Sequence, residues 1–319
     1  MFSGVQSFLT GFLRGIGLHR RENINKMTDH TSRIAKTYEW RHNPLIKKLH
    51  FETKELLNFL INEKNQNNMA SFPKPSSDRL DALHKLLDQI TLESLGIAEP
   101  LHLHMHPPFP RTDSDISFDN LPWKYGQIGC IDIHSEKDFT IAAFVLPPHT
   151  SIPLHNHPHM TVLSRVLYGS VHVKTFDYVK DNEDPRNVVQ CQRDETLYKN
   201  RTVFLLEDKE NLHTFRAGEN GTAILDIILP QYNEKEGRIC TYYNLKPIRG
   251  ERNMEIEMSL TPTQLSSNFH KRSSSNNFYG KFFEVNPVDE YENTSFDFDV
   301  IGVEYIGPLV SESEDNNLK

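Results

Sequence analysis

From about residue 125 the chain becomes a succession of short β-branched and aromatic runs punctuated by turn residues. The runs are FTIAAFVL (139–146), MTVLSRVLYG (160–169), SVHVKTFDYV (170–179), TVFLLE (202–207) and AILDIILP (223–230). Segments of this length, spaced by Pro, Gly, Asn and Asp, predict strands. No helix of length falls between them, so they predict an antiparallel sandwich or barrel rather than a parallel sheet. After a Ser/Asn-rich loop at 266–280, KFFEVNP and DVIGVEYIGP read as one or two returning strands.

The N-terminal part is different in texture. Residues 50–64 (HFETKELLNFLINEK) read as an amphipathic helix, and 65–77 as an Asn/Pro/Ser linker. A second helix then starts at Ser77 or Asp78 as N-cap, with Leu80, Leu83, Leu86, Leu87 and Ile90 on one face. The chain therefore divides into an extension (1–45), a helical segment packing on the barrel (46–96), a β domain (97–310) and an acidic tail (311–319).

Several function classes are excluded. A net charge of −8 leaves no basic footprint for nucleic acid. No run of 18 uncharged apolar residues predicts a membrane span. Neither a G-x-G-x-x-G nor a P-loop occurs, so no dinucleotide or nucleotide cofactor is expected. Three cysteines, an odd count without a C-x-x-C pair, argue for a reducing compartment and against a disulfide framework. The cytoplasm is the expected location. The alternative is mitochondrial, because residues 1–21 lack acids, carry Arg14, Arg20 and Arg21, and repeat apolar residues at helical spacing.

Two histidine runs compete as metal ligands. In SIPLHNHPHM (151–160), His155 and His157 share one face if the segment is extended, and could converge on one cation. Pro153 and Pro158 mark the segment's ends, and His159 is read as a rim residue. The richer LHLHMHPPFP (101–110) aligns His102, His104 and His106, but three prolines follow and nothing downstream completes a motif; a loop-borne run is the better reading. His172 reads as a solvent-facing strand residue, His84 as a helix-surface residue, and His134 and His149 have no motif partners.

The H-x-H pair is followed by Val162 and then Gly169. This spacing resembles the cupin pattern, in which a Glu occupies the place of Val162 and the glycine turn follows. The usual two-histidine, one-carboxylate iron site therefore cannot be completed here. The resemblance points instead to His213, in the turn of KENLHTFRAG, as third ligand. Three neutral imidazoles leave a divalent ion its full charge, suiting an anionic thiolate, which metal coordination deprotonates. A three-histidine zinc hydroxide is the competing reading.

With IPLHNHPHM, VLYGSV, NLHTF and LDIILPQYNEKEGRICTYY in order, the chain resembles the cysteamine (2-aminoethanethiol) dioxygenase and plant cysteine oxidase family. The match runs from about 79 to 310, and RICTYY brings it nearest the animal branch. The resemblance implies a mainly β cupin-type double-stranded β-helix, or jelly roll, carrying N-terminal helices. It implies Fe(II) on His155, His157 and His213, and addition of both atoms of dioxygen to a thiol. The implied substrates are cysteamine, giving hypotaurine, and proteins or peptides with an N-terminal cysteine, the latter making the enzyme an oxygen sensor for an N-degron route. A monomer is expected.

Asp226 matches a family acid that meets the substrate amine; the plainer reading is a hydrogen-bonded structural acid. Tyr232 matches a tyrosine beside the substrate channel. Cys240 and Tyr242 match a pair that can form a thioether cross-link, against the simpler reading of a buried cysteine beside a core tyrosine. The chain departs from the family at Asn156, where Asp is usual, at His149, where many cupins have Gly, and at LPQY for PPY. The other readings are a different cupin enzyme, an isomerase or hydrolase on zinc or manganese, and a binding module without turnover.

Overall fold

The computed structural model describes residues 43–69, 72–97, 127–136, 138–179, 188–248, 281–288, 299–303 and 310. The candidate presequence, the LHLHMH run and the 266–280 loop lie outside these residues. Two helices, α1 (Pro44–Gln66) and α2 (Ser77–Leu87), precede ten strands. The strands are β1 (Gln127–Ser135), β2 (Thr140–Leu146), β3 (Ser151–His155), β4 (Thr161–Tyr178) and β5 (Val188–Tyr198), then β6 (Thr202–Leu205), β7 (Leu212–Leu229), β8 (Tyr243–Pro247), β9 (Phe282–Pro287) and β10 (Asp299–Val303).

The sheet runs β10-β1-β2-β7-β4-β5-β9-β8, with β3 added to β7 and β6 to β4. All pairings are antiparallel except β1 with β10, which is parallel. β4 and β7 pair along almost their whole lengths and each belongs to both halves of the curled sheet. The C-terminal part of β7 pairs with β2, and its N-terminal part with β3. Likewise the start of β4 pairs with β6 and its end with β5. The expected mainly β, jelly-roll-type barrel is the fold observed.

The two halves bend where β4 and β7 meet at glycine. Gly169 (φ 64°) and Gly221 (φ 69°) are both left-handed, and a Cβ on Gly169 would sit 2.1 Å from the Gly221 carbonyl oxygen. Only a residue without Cβ permits that approach. The two runs expected at 160–169 and 170–179 are thus one bent strand. β1, β5, β8 and the N-terminal half of β7 were not among the expected strands; in β5 and β7 polar residues (QRDE; RAGEN) mask the alternation on exposed ladders. His149, in place of the usual glycine, also takes a left-handed φ of 63°.

β7 reads as a nearly continuous apolar run because both of its faces are covered there. Ile224 and Ile228 join Val162, Val166, Phe144 and Phe215 inside the barrel. Leu225, Ile227 and Leu229 face outward against Leu49, Leu56, Leu60, Leu83 and Leu87 of the helices. α1 starts six residues before the expected helix, with Pro44 at its first position and the Asn43 side chain accepting from the Leu45 N–H. The N-cap position of α2 falls at Ser76, one residue before the expected cap, and its side chain makes no capping hydrogen bond.

Arg165 ties α2 to the barrel from within the core, where it is 2% exposed. It donates to the Ile90, Asn200 and Asp88 carbonyls at 3.3, 3.2 and 3.1 Å and to Asp88 Oδ1 at 2.8 Å. Arg165→Ala leaves the buried Ile90 carbonyl without this donor and empties a buried side-chain volume, and should cost about 2–3 kcal/mol. Urea denaturation measures this, and an unchanged midpoint would contradict the tie.

Candidate metal centre

His155 ends β3 and pairs with His213, the second residue of β7. His213 therefore lies within a strand rather than in the expected turn. His157 lies beyond the end of β3, so strand alternation does not deliver it. Pro153 lies inside β3, which as an added edge strand tolerates the missing donor. The turn carrying His157 is clamped instead by Asn211. The His157 N–H donates to Asn211 Oδ1 at 3.0 Å, and Asn211 Nδ2 donates to the His157 and Leu206 carbonyls at 2.8 and 3.2 Å. Nothing in the residue spacing singled out Asn211, whose role depends on a turn distant in sequence.

The three Nε2 atoms converge. His213 Nε2 lies 2.9 Å from that of His155 and 3.1 Å from that of His157, and all three side chains are buried. The hydrogen bonds behind them set the tautomers. His155 Nδ1 faces the Pro153 carbonyl at 2.9 Å, so it carries the proton. The Tyr232 hydroxyl donates to the Asn156 carbonyl at 3.0 Å, so its 2.7 Å contact with His157 Nδ1 is received from the imidazole N–H. Two bare Nε2 lone pairs then face His213, which can donate to at most one of them. A cation satisfies all three. A divalent ion bound to imidazoles at about 2.0–2.1 Å holds cis nitrogens about 3 Å apart, close to the separations seen. Burial holds His155 down to about 4 and His157 and His213 well below their ordinary range, which keeps them neutral as ligands. The donor set fits a metal.

The triad opens into a pocket of about 10 Å³, about one water in size, walled by Phe144, Ile152, Phe215 and Ile228. Asp226 and Tyr232 are its other polar lining residues. Asp226 points inward because it is in phase with Ile224 and Ile228 along β7. Its Oδ1 has no hydrogen-bond partner among the described residues. Burial pushes its carboxyl up to about 7, opposed by the Ser164 hydroxyl across the ladder. Cys240 and Tyr242 stand just behind. Cys240 lies in no strand, so a shared strand face is not what brings the pair together. Tyr242 bridges to His155, with ring centroids 5.7 Å apart. Burial is the largest influence on the Cys240 thiol and pushes it up to about 12, opposed in part by the nearby Tyr232 and Tyr242 hydroxyls.

Asn156, the departure from the family's Asp, keeps a structural place. Its Oδ1 accepts from the Thr241 N–H at 2.9 Å and its Nδ2 donates to the Tyr243 hydroxyl at 3.1 Å. The His159 side chain is exposed and pairs with Glu207 at 2.7 Å, as a rim residue would. His172 reaches Asp194 at 2.7 Å. His84 does have neighbours, Asp88 at 3.7 Å and the Phe204 ring. His134 also has partners, His50 and Glu136.

Tyr232→Phe removes the group that orients His157. Such partners of a ligating histidine typically matter about 10–100-fold in metal affinity. Chelator-competition titration should show a loss in that range with the fold retained; unchanged affinity would contradict the assignment.

Residues 86–310, well over half of the chain, match the PCO_ADO family. Plant cysteine oxidase 1 of Arabidopsis thaliana is 33% identical over 174 residues, covering 53% of this chain and 56% of its own length. The 2-aminoethanethiol dioxygenase of Homo sapiens is 30% identical over 196 residues, covering 54% and 67%. A cupin superfamily protein from Desulfitobacterium hafniense aligns over 40% of this chain and 97% of its own, at 13% identity and a TM-score of 0.27. The chain thus spans little more than half the length of its plant relative. With the match covering all three histidines, the chain belongs to the PCO_ADO family.

Proposed function

We propose that the chain is a non-haem iron thiol dioxygenase. It converts cysteamine, an N-terminal cysteine of a peptide or protein, or both, to the sulfinic acid. The observation that carries this reading is the convergence of three neutral imidazole nitrogens with no carboxylate among them. The overall change is R–SH + O₂ → R–SO₂H. Both oxygen atoms end on sulfur, the thiol supplies all the electrons, and the product rests on the sulfinic rung of the oxidation ladder. No further reductant is required.

Iron(II), when bound by His155, His157 and His213, would supply the redox chemistry that lets a thiol react with dioxygen. The chain's own residues do the rest. The uncharged ligand set leaves the site cationic and favours the substrate as thiolate. Asp226, inward and buried, is the group to receive the substrate ammonium. Phe144, Ile152, Phe215 and Ile228 keep water from the reacting atoms. Tyr232 holds the His157 tautomer, and Cys240 with Tyr242 backs the His155 side of the pocket; a thioether between those two would lock that wall. Residues 97–310 form the catalytic unit under this reading, with 46–96 as its helical cover and 1–45 and 311–319 outside it.

Among the described residues no helix is long and apolar enough to cross a membrane. The three cysteines are all free and buried, which supports a cytoplasmic site; we take the active form to be a monomer. Acting on N-terminal cysteines would make the enzyme an oxygen sensor feeding N-degron degradation. The test is oxygen consumption by iron-loaded protein given cysteamine and, separately, a Cys-initiated peptide. Uptake with at least one is expected; none with either, or turnover supported by zinc alone, contradicts the reading.

A further inference from the structure

A second convergence of ligand atoms lies away from the barrel pocket, where α1 meets the end of β1. His50 Nε2 lies 2.9 Å from Glu136 Oε1, and His134 Nε2 lies 3.2 Å from the same oxygen. The two rings meet edge to face with centroids 4.6 Å apart. All three ligand atoms fall within 4.8 Å of one another. The His50 and His134 side chains are only 12% and 10% exposed, while Glu136, at 30%, leaves a way in from solvent. The Phe139 ring stands 5.6 and 5.8 Å from the two imidazoles and forms an apolar collar.

The carboxylate oxygen is crowded. Lys54 Nζ also reaches Glu136, at 3.2 Å from Oε1 and 3.0 Å from Oε2. Oε1 therefore faces three nitrogen donors with two lone pairs to offer. Replacing the two imidazole protons by one cation shared among both Nε2 atoms and Oε1 removes the excess, and leaves Oε2 to Lys54. The lysine's charge opposes a cation, but its side chain is half exposed and screened. Burial keeps His50 below its ordinary range despite the Glu136 hydrogen bond, so it is available as a neutral ligand.

We propose that His50, His134 and Glu136 form a second divalent-metal site, of the zinc class, that staples α1 to β1 on the outer face of the barrel. Two imidazole nitrogens, one carboxylate oxygen and a solvent-facing fourth position are a donor set zinc accepts. A metal bound only by the native arrangement stabilises it. The inference is independent of the proposed thiol chemistry.

The test uses the full chain, stripped with chelator, dialysed against excess zinc sulfate and counted by elemental mass spectrometry. Wild type should hold two zinc ions per chain. His213→Ala should hold one, at the second site; His134→Ala should hold one, at the triad; the double variant should hold none. Zinc should raise the unfolding temperature of His213→Ala by several degrees and leave the double variant unmoved. Glu136→Gln keeps an acceptor for both imidazoles, so a purely structural hydrogen-bonded clamp predicts an unchanged zinc count, whereas the metal site predicts one ion lost. A wild-type count of one that vanishes in His213→Ala overturns the proposal, as does a second ion that persists in both His134→Ala and Glu136→Gln. A single ion retained in His213→Ala and lost in His134→Ala would support this site while removing the triad.

Discussion

His213→Ala should yield a folded protein that retains no iron at the triad and consumes no oxygen with a thiol. The residue occupies the centre of the triad, with its Nε2 near that of each partner. Its removal leaves two ligands where three defined the site, and the expected loss of turnover is at least about 10³-fold, the scale on which an essential catalytic group acts. Because the side chain is buried against Phe215, with ring centroids 4.6 Å apart, truncation also leaves a small cavity, so circular dichroism must accompany the assay. His213→Gln, closer in volume, separates the effects: it should fold as wild type and still lose iron. Oxygen uptake surviving in either variant would show that the ligand set is wrong.

Gly169→Ala should be the most destabilising alanine in the barrel, at about 3–5 kcal/mol. About 1–2 kcal/mol comes from forcing an L-residue into the left-handed region. The rest comes from the new Cβ meeting the Gly221 carbonyl oxygen, a backbone atom that no rotamer change can move aside. The bend at these glycines folds β7 so that His213 on one half and Asp226 on the other line one pocket. Loss of the bend therefore damages the site as well as the core. Gly237→Ala supplies the control. Gly237 has φ 75° but a Cβ there would meet nothing within 4 Å. It should cost only the conformational part, about 1–2 kcal/mol. Chemical denaturation of the pair isolates the clash, and equal costs would contradict it.

The parts of the fold that the sequence announces are those in which one face, or both, is apolar. β2, the first half of β4 and the C-terminal half of β7 are buried on two sides, between barrel interior and helices, so their runs stand out. β5 and the start of β7 carry charged residues on their exposed side. Their strand character depends on pairing, of β5 with β4 and β9 and of the start of β7 with β3 and β4, which single-segment patterning does not report. The three candidate ligands were legible through residue type and order. Their geometry was not: His157 is held by Asn211, His157 and His155 take their tautomers from Tyr232 and Pro153, and His213 arrives within a strand. The His50–His134–Glu136 cluster was invisible for the same reason, since two of its members are separated by more than 80 residues and meet only when α1 docks on β1.

The central claim is that the triad directs both atoms of dioxygen onto a thiol sulfur. The most direct measurement supplies iron-loaded protein with isotopically heavy dioxygen and, in parallel, cysteamine and a Cys-initiated peptide. Mass spectrometry then scores each product. The account predicts that at least one substrate becomes a sulfinic acid carrying two labelled oxygens, and that His213→Ala yields none. A product with one labelled oxygen or none, a disulfide as sole product, or unchanged thiols in both reactions would contradict it.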